Sequence, residues 1–258
     1  MKYKQLEELI GVIETLRSEH GCVWDRAQTH ETLTPNMIEE AYEAVEAIKE
    51  GKPEHLREEL GDVLLQVLLH SQIAKEEGDY DIEAVAKELK EKLIHRHPHV
   101  FGNVHVETPQ DVADNWEVLK KEEKKDRKSQ MDGIPKTFPA LMACQKISKR
   151  AVKVGFEWDS VDTLKDCIKS EYDEFFDAVK SGDKDAMEDE MGDIFFATVN
   201  LARWYKIDAE QSLLRANNKF IKRFRKMEEL AVKPLEEYSF EEYDKLWKQA
   251  KKELKKSN

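Results

Sequence analysis

Glycine and proline are scarce in this 258-residue chain, with 10 and 7 residues, whereas Glu, Lys, Leu and Ala dominate. Because strong helix formers are abundant and the two poorest are rare, the composition favours helices over strands. The three cysteines are an odd number and form no C-x-x-C motif, which is the usage expected in a reducing cytoplasm. The sequence therefore predicts an all-α, cytoplasmic protein.

Further absences argue against whole classes of function. The chain has no run of 18 or more apolar residues, which argues against a transmembrane span. Its formal net charge of −12 disfavours electrostatic binding to nucleic acid or to an anionic membrane. The G-x-x-x-x-G-K-[ST] motif of P-loop nucleotidases is missing. No Glu precedes any of the eight histidines by three positions, which speaks against a di-iron carboxylate bundle.

The sequence does contain an internal duplication. A shift of 131 residues places EEAYEAVEAI (39–48) on SEYDEFFDAV (170–179). This shift superposes four acids of each copy, namely Glu40, Glu43, Glu59 and Asp62 on Glu171, Glu174, Glu190 and Asp193. A shift of 127 superposes a basic pair, Lys92 and Arg96 on Lys219 and Arg223. Several matches in the same order indicate two copies of one module.

Each copy is predicted to contain three long helices. In the first copy the first helix follows a Thr34 N-cap and runs from Pro35 to a stop at Gly51. The second runs from about Pro53 to Glu77, and the third from about Asp81 to His97. In the second copy they cover about residues 160–181, 183–205 and 208–230. We expect an N-terminal module (1–103), a helical linker (104–140) and a C-terminal module (141–258).

The paired acids indicate a metal site. Residues three apart share a helix face, so Glu171 and Glu174 line one stripe and Glu190 and Asp193 another. The apolar run after Asp193 predicts a buried helix, and Gly192 within it suggests close packing of a neighbour. Carboxylates gathered at such a core edge repel one another unless a cation neutralises them. Oxygen-only ligands indicate Mg²⁺, with Mn²⁺ as an alternative.

Basic and amide side chains complete a predicted phosphate site. Lys219 and Arg223 lie on one helix face and could take the negative oxygens of a metal-bound polyphosphate. Asn200 and Asn217 occur only in the second copy, where Asn200 is either a core hydrogen-bonder or a ligand contact. Trp247 either stacks on a base or packs in the core. The two asparagines, which the first copy lacks, favour the C-terminal copy as the working site.

With these motifs the chain resembles the MazG family of nucleoside triphosphate pyrophosphohydrolases, which belong to the all-α NTP pyrophosphatase superfamily. The resemblance covers nearly the whole chain in the layout of the long, two-copy bacterial form. It is carried by GCVWDRAQTHETL, EEAYEAVEAI, REELGDVLLQVLLHSQIA, RHPHVFG, DGIPKTFPAL, VGFEWD, EDEMGDIFFATVNLAR and ANNKFIKRFRKME.

The resemblance implies Mg²⁺-dependent hydrolysis of NTPs and dNTPs to monophosphate and pyrophosphate, in a tight homodimer. It implies metal ligands at Glu171, Glu174, Glu190 and Asp193 and at Glu40, Glu43, Glu59 and Asp62. Phosphate contacts are implied at Lys219 and Arg223 and at Lys92 and Arg96. One departure is Ser170, where relatives often carry Glu; Asp173 or Asp189 are candidate substitutes.

The charges of the carboxylates, the cation and the phosphates predict a mechanism. Water activated by the metal would attack the α-phosphorus in line, with Glu174, Glu190 and Asp193 as the catalytic carboxylates and Glu174 as a candidate base. Two alternatives stay open. One is a pyrophosphohydrolase with a narrower substrate, such as dUTP or phosphoribosyl-ATP. The other is a non-enzymatic helical interaction protein, whose acids could be neutralised without functional loss.

Overall fold

The computed structural model of the chain describes residues 3–122 and 128–256, and the regular elements in these ranges are all helical. The all-α prediction is therefore confirmed. The chain divides into two compact units, Met1–Lys125 and Asp126–Asn258. None of the helices in the described residues is both long and apolar enough to cross a membrane.

The first unit is built around a hairpin of two long helices. In chain order its helices are α1 (Lys4–Arg17), α2 (Val23–Arg26), α3 (Thr34–Glu50), α4 (Pro53–Glu77), α5 (Ile82–Arg96), α6 (Pro98–Phe101) and α7 (Pro109–Glu122). Helix α3 packs along α4, and α1 and α5 also pack on α4. The core combines one loop residue with side chains of α1 and α4, namely Ile13, Leu33, Leu68, Leu69 and Ile73.

Local sequence explains where these helices begin and end. Helix α3 stops at Gly51, which adopts φ of 70°, a conformation that glycine accepts without strain. Proline follows at the start of α4, where its missing N–H costs nothing. The Asp81 carboxylate caps α5 by accepting a hydrogen bond from the Ala84 N–H. The predicted Thr34 cap is displaced by one residue, because Leu33 holds the N-cap position.

The second unit repeats this plan. Its α-helices are α8 (Ala140–Val152), α9 (Val161–Ser181), α10 (Lys184–Trp204), α11 (Ala209–Leu230) and α12 (Phe240–Lys256). Helices α9 and α10 form the long hairpin, α8 packs on α10, and α11 packs on α8 and α12. Ser160 and Thr163 form a reciprocal capping box at the start of α9, and Gly182 ends that helix at φ of 74°.

Helices α7 and α12 begin in the same way. Thr108 and Asp111 exchange side-chain-to-backbone hydrogen bonds at the start of α7. Ser239 and Glu242 do the same at the start of α12. The two caps are related by the shift of 131 residues found between the acidic pairs. Helix α7, assigned from sequence to the 104–140 linker, packs on α5 within the first unit as α12 packs on α11 in the second.

Two expectations about α10 are wrong. The sequence predicted burial on all sides, but Phe195 and Phe196 are 57% and 40% exposed in the single chain. Helix α10 packs on α8 and α9 and buries Ile194, Ala197 and Val199, so only part of its apolar surface is covered. Phe195 and Phe196 lie outside that part and project towards solvent. Gly192 does not mark close packing either, because a Cβ built at this position would meet no atom within 4 Å.

Candidate metal and nucleotide site

The α9–α10 hairpin brings the acids of the second unit together. Gly182, at the turn, lies midway in sequence between Glu174 and Glu190, so the two antiparallel arms carry these residues to the same level. Carboxylate oxygens of Glu171, Glu174 and Glu190 all lie within 4.8 Å of one another. The hairpin thus assembles the acids from two helices, as the repeated spacing predicted.

These carboxylates repel one another. Partial desolvation and the charges of Glu174, Asp193, Glu171 and Asp189 raise the pKa of Glu190 above its ordinary value. Asp193 is exposed and adds its charge from the next turn of α10. A raised pKa means that the ionised cluster is unfavourable in the folded protein, so a bound cation would relieve the repulsion.

Helix α9 supplies two hydrogen-bond donors to its own acids. The Ser170 hydroxyl donates to Glu174 Oε1 at 2.7 Å, and the Cys167 thiol donates to Glu171 Oε1 at 3.3 Å. Desolvation, together with the Glu171 hydrogen bond, raises the pKa of Cys167 to about 11. The thiol therefore stays protonated and acts as a donor rather than a nucleophile. Ser170, at the position where a further Glu was expected, orients Glu174 instead.

The first unit carries an equivalent cluster. Carboxylate oxygens of Glu40, Glu43 and Glu59 lie within 4.8 Å of one another, and Gly51 is again midway between the second and third acids. Desolvation and the neighbouring acids, with Asp62 the largest charge contribution, raise the pKa of Glu40. Glu59 is only 8% exposed, and its Oε2 is buried with no hydrogen-bond partner among the described residues.

Both clusters fit a hard divalent cation. Each offers at least three carboxylates from two helices, and the orphaned Glu59 oxygen is an acceptor that a cation would satisfy. In the second unit Glu171, Glu174 and Glu190 would hold the ion, with Asp193 beside them. Both sets consist of carboxylates, which are the ligands that Mg²⁺ and Mn²⁺ prefer.

The predicted phosphate residues lie on α11. Lys219 and Asn217 are exposed, whereas Arg223 is partly buried with its guanidinium 5.7 Å from the centre of the Trp247 ring. Phe220 packs against the same indole, with ring centres 5.2 Å apart. Among the described residues, no ion pair joins Lys219 or Arg223 to an acid of the cluster. The positive charge is thus available to an incoming anion.

The first unit repeats this stacked pair at a position that sequence analysis missed. Arg96 lies 5.3 Å from the centre of the Trp116 ring, while Lys92 is exposed on the same helix. Trp116 and Trp247 are related by the shift of 131 residues. That shift was the available signal, although Trp116 falls in the segment that the sequence assigns to a linker.

The two asparagines have different surroundings. Asn200 is 6% exposed, its Oδ1 accepts a hydrogen bond from the Ser148 hydroxyl, and its Nδ2 donates to the Phe196 carbonyl at 3.0 Å. Both ends of this amide are therefore used within the unit, which fits the core hydrogen-bonder alternative. Asn217 is exposed beside Lys219, so its contact with a nucleotide stays a prediction.

Comparisons with known proteins agree with the duplicated architecture. The MazG nucleotide pyrophosphohydrolase domain matches residues 28–101 and 159–227. A nucleoside triphosphate pyrophosphohydrolase/pyrophosphatase MazG of Thermotoga maritima is 45% identical over 249 residues, covering 95% of each chain. A nucleoside triphosphate pyrophosphohydrolase of Escherichia coli is 40% identical over 257 residues, covering 96% of this chain and 98% of the relative.

A solved structure of a mazG-related protein from Thermotoga maritima matches 45% of this chain and 98% of its own, with 31% identity and a TM-score of 0.39. The family domain occurs twice and covers more than half of the chain, and the similarity to the two curated relatives is nearly end to end. The chain therefore belongs to the MazG nucleotide pyrophosphohydrolase family.

Proposed function

We propose that this chain hydrolyses nucleoside triphosphates to the monophosphate and pyrophosphate, and that the C-terminal copy carries the reaction. Two curated relatives that align along almost the whole chain are named for this activity. The observation that carries the proposal is the cluster of Glu171, Glu174 and Glu190, where mutual repulsion and partial desolvation raise the pKa of Glu190. Such a cluster is costly without a cation and useful with one.

Mg²⁺ is the cofactor we propose, held by Glu171, Glu174, Glu190 and Asp193, with Mn²⁺ able to replace it. When bound, the cation lowers the pKa of a coordinated water and neutralises phosphate charge. Glu174 is exposed and is oriented by Ser170, so it is the carboxylate best suited to accept a proton from the attacking water.

Attack at the α-phosphorus would expel pyrophosphate, and cationic side chains would stabilise its charge. Lys219 is exposed and Arg223 is free of acidic partners among the described residues, so both can bind phosphate oxygens. Trp247 packs against Phe220, Arg223 and the core of the second unit but is only partly buried, and we propose that its accessible part contacts the base. Stacking is tolerant of base identity, which favours a broad range of nucleotides over a single one.

A homodimer is part of the proposal. Large apolar side chains of the α9–α10 hairpin are exposed in the single chain, namely Tyr172, Phe176, Phe195 and Phe196. Several large apolar side chains exposed on one hairpin are a feature expected of an interface. Sedimentation equilibrium would test the prediction: the mass should correspond to two chains, and a stable monomer at micromolar concentration would refute the dimer.

The test of the reaction itself is hydrolysis in ¹⁸O-enriched water, with the products separated and weighed by mass spectrometry. Attack at the α-phosphorus places the label in the monophosphate and leaves the pyrophosphate unlabelled. Label in pyrophosphate would move the attack to the β-phosphorus, and orthophosphate as the first product would refute the proposed bond cleavage. Turnover confined to one nucleotide would favour the narrower-substrate alternative.

A further inference from the structure

Two histidines of the first unit share a hydrogen bond that the proposed reaction does not use. His30 lies in the loop that leads into α3, and His70 lies on α4. Both rings are partly buried, and their Nδ1 atoms are 2.7 Å apart, which is a hydrogen-bond distance. One Nδ1 must therefore carry a proton and donate it, while the other accepts through its lone pair.

The two rings lie end to end in almost one plane. Their centres are 5.0 Å apart and their planes differ by 7°. Because an imidazole nitrogen lies about 1.15 Å from its ring centre, this separation places both Nδ1 atoms on the line that joins the centres. The shared proton thus lies in a straight N–H···N hydrogen bond. This arrangement leaves no room for a proton on each Nδ1.

The charged neighbours place an added proton on His30 rather than on His70. A carboxylate oxygen of Glu77, at the end of α4, lies 3.8 Å from His30 Nε2, and Glu31 follows His30 in the loop. Burial, together with the charge of His30, lowers the pKa of His70. His70 is thus the neutral acceptor, and a pair that carries one added proton keeps its hydrogen bond.

The other charged groups near this end of α4 are paired with one another. Arg17 of α1 forms an ion pair with Glu76 of α4, and Lys75 of α4 forms one with Glu14 of α1. Among the described residues, neither α3 nor α5 has a charged side chain recorded in contact with either ring. A second added proton would therefore leave two imidazolium rings facing each other without an acid beside His70.

The hydrogen bond fastens the loop 27–33 to α4. At one end of this loop Arg17 holds the Gln28 carbonyl at 3.2 Å, and at the other end Leu33 is fully buried in the core of the unit. His30 contacts α4 between these two anchors. The loop continues directly into α3, so its attachment supports the start of the helix that carries two acids of the first cluster.

The second unit has apolar residues at the positions of the two histidines. The shift of 131 residues places them on Val161 and Leu201. The same shift places Leu33 on Leu164, and both leucines are 0% exposed, so the register holds at this point of the fold. The equivalent contact in the second unit therefore contains no group that titrates near neutral pH, which makes the second unit an internal control.

We propose that the His30–His70 hydrogen bond is a pH switch, which holds the loop 27–33 on α4 while one Nδ1 can accept and releases the loop when both rings are protonated. As the pH falls, the pair gains one proton and keeps its bond, and then gains a second and loses it. Because the pKa of His70 is lowered, the stabilisation is present above the ordinary histidine value of about 6.5 and is lost as the pH falls through the lowered pKa. This switch does not depend on the proposed function.

The test is hydrogen exchange of the full chain at about pH 7.5 and at about pH 5, read by mass spectrometry and corrected for the intrinsic pH dependence of amide exchange. The Leu33 N–H, which donates to the Thr29 carbonyl at 3.2 Å, reports on the loop. We expect the protection of the loop amides to fall at least about 10-fold at the lower pH. Protection within α4 should change much less, and protection in residues 158–164 of the second unit should stay the same.

Matched variants assign the effect to the pair. His30→Val combined with His70→Leu copies the second unit and should make loop protection independent of pH. His70→Asn places an amide oxygen near the position of Nδ1, and this oxygen can accept from His30 at both pH values, so the loop should stay protected. His20→Ala, outside the pair, should keep the full pH dependence. Circular dichroism checks folding, and His70→Asn carries the test alone if the double variant fails to fold.

Two results in the unaltered chain would overturn the inference. One is loop protection that does not change between the two pH values. The other is an equal loss of protection throughout α4, because the unit would then unfold as a whole rather than release its loop. A loss in His70→Asn, or in the double variant, that equals the loss in the unaltered chain would also overturn it, since groups other than the two histidines would then control the loop.

Discussion

The two acidic clusters keep the same skeleton in different surroundings. In both units a helical hairpin with a left-handed glycine at its turn carries three glutamates to within 4.8 Å, and one of them has a raised pKa. The third glutamate differs, because Glu59 is buried against His55, whereas Glu190 is partly exposed and none of the described histidines is recorded in contact with it. Duplication has therefore preserved the carboxylates and changed what they contact, so the copies are not interchangeable.

The largest expected effect is on the free energy of unfolding, at a core position that the two units share. Leu69 is 2% exposed within an apolar cluster, whereas its counterpart Asn200 is hydrogen-bonded to Ser148. Leu69→Ala should lower the free energy of unfolding of the first unit by about 2–5 kcal/mol, because it opens a cavity. Asn200→Leu should cost the second unit about 1–3 kcal/mol, because the Ser148 hydroxyl loses its partner.

Native-state hydrogen exchange measures both effects unit by unit. The control for the second unit is Ser148→Ala combined with Asn200→Leu, which removes both polar partners and should recover much of the loss. Equal costs for Asn200→Leu alone and for the double variant would contradict the account of Asn200 as a core hydrogen-bonder.

A smaller effect is expected from the two stacked tryptophans. Trp247→Leu should lower kcat/KM for nucleoside triphosphates about 10-fold, mainly through KM, because base stacking contributes about 1–3 kcal/mol. Trp116→Leu is the matched change at the equivalent position and should have a clearly smaller effect if the second unit carries the reaction. Steady-state kinetics with ATP and CTP would check both variants. Equal losses in the two variants would mean that both copies turn over.

The smallest expected effect is on stability at acid pH. Each unit has a buried arginine that forms an ion pair with a glutamate, Arg17 with Glu76 and Arg203 with Glu157. The Arg203 hydrogen bonds hold the pKa of Glu157 below its ordinary value. Stability from this pair is therefore present above the ordinary glutamate range and is lost as pH falls through the lowered pKa. Because Glu157 is partly exposed, the contribution is below about 1 kcal/mol.

Urea unfolding as a function of pH checks this prediction. In Glu157→Gln the free energy of unfolding of the second unit should decrease less steeply as the pH falls below about 4.5. Glu76→Gln should have the same effect on the first unit. An unchanged pH profile in Glu157→Gln would show that other carboxylates control acid unfolding.

Much of the fold was predictable from sequence. Helix ends were signalled by residues with a local physical preference, such as Gly51, Pro53 and Asp81, and these positions hold in the structure. The acidic clusters were predictable for the same reason, since the repeated spacing and a turn at its midpoint force the two arms of each hairpin together.

Other features could not be read from sequence because they depend on packing between distant segments. The apolar run of α10 predicted burial, but Phe195 is exposed, because among the described residues of the second unit no helix that packs on α10 covers that side. The role of Asn200 required knowing that Ser148, from a separate helix, lies against it. The contacts of His55 with Glu50 and Glu59 also became visible only in the structure, because they depend on how the end of α3 meets the start of α4.

The most direct test of the central claim is turnover of Glu190→Gln against Glu59→Gln, measured with Mg²⁺ and after chelation. We predict that Glu190→Gln loses at least about 100-fold in rate, since even indirect disturbance of a metal site costs 10–100-fold, while Glu59→Gln retains most of its turnover. Loss of the repulsion that raises the Glu190 pKa should keep metal-free Glu190→Gln folded, which thermal unfolding can verify. Loss of turnover in Glu59→Gln alone, or in neither variant, would contradict the assignment of catalysis to the C-terminal cluster.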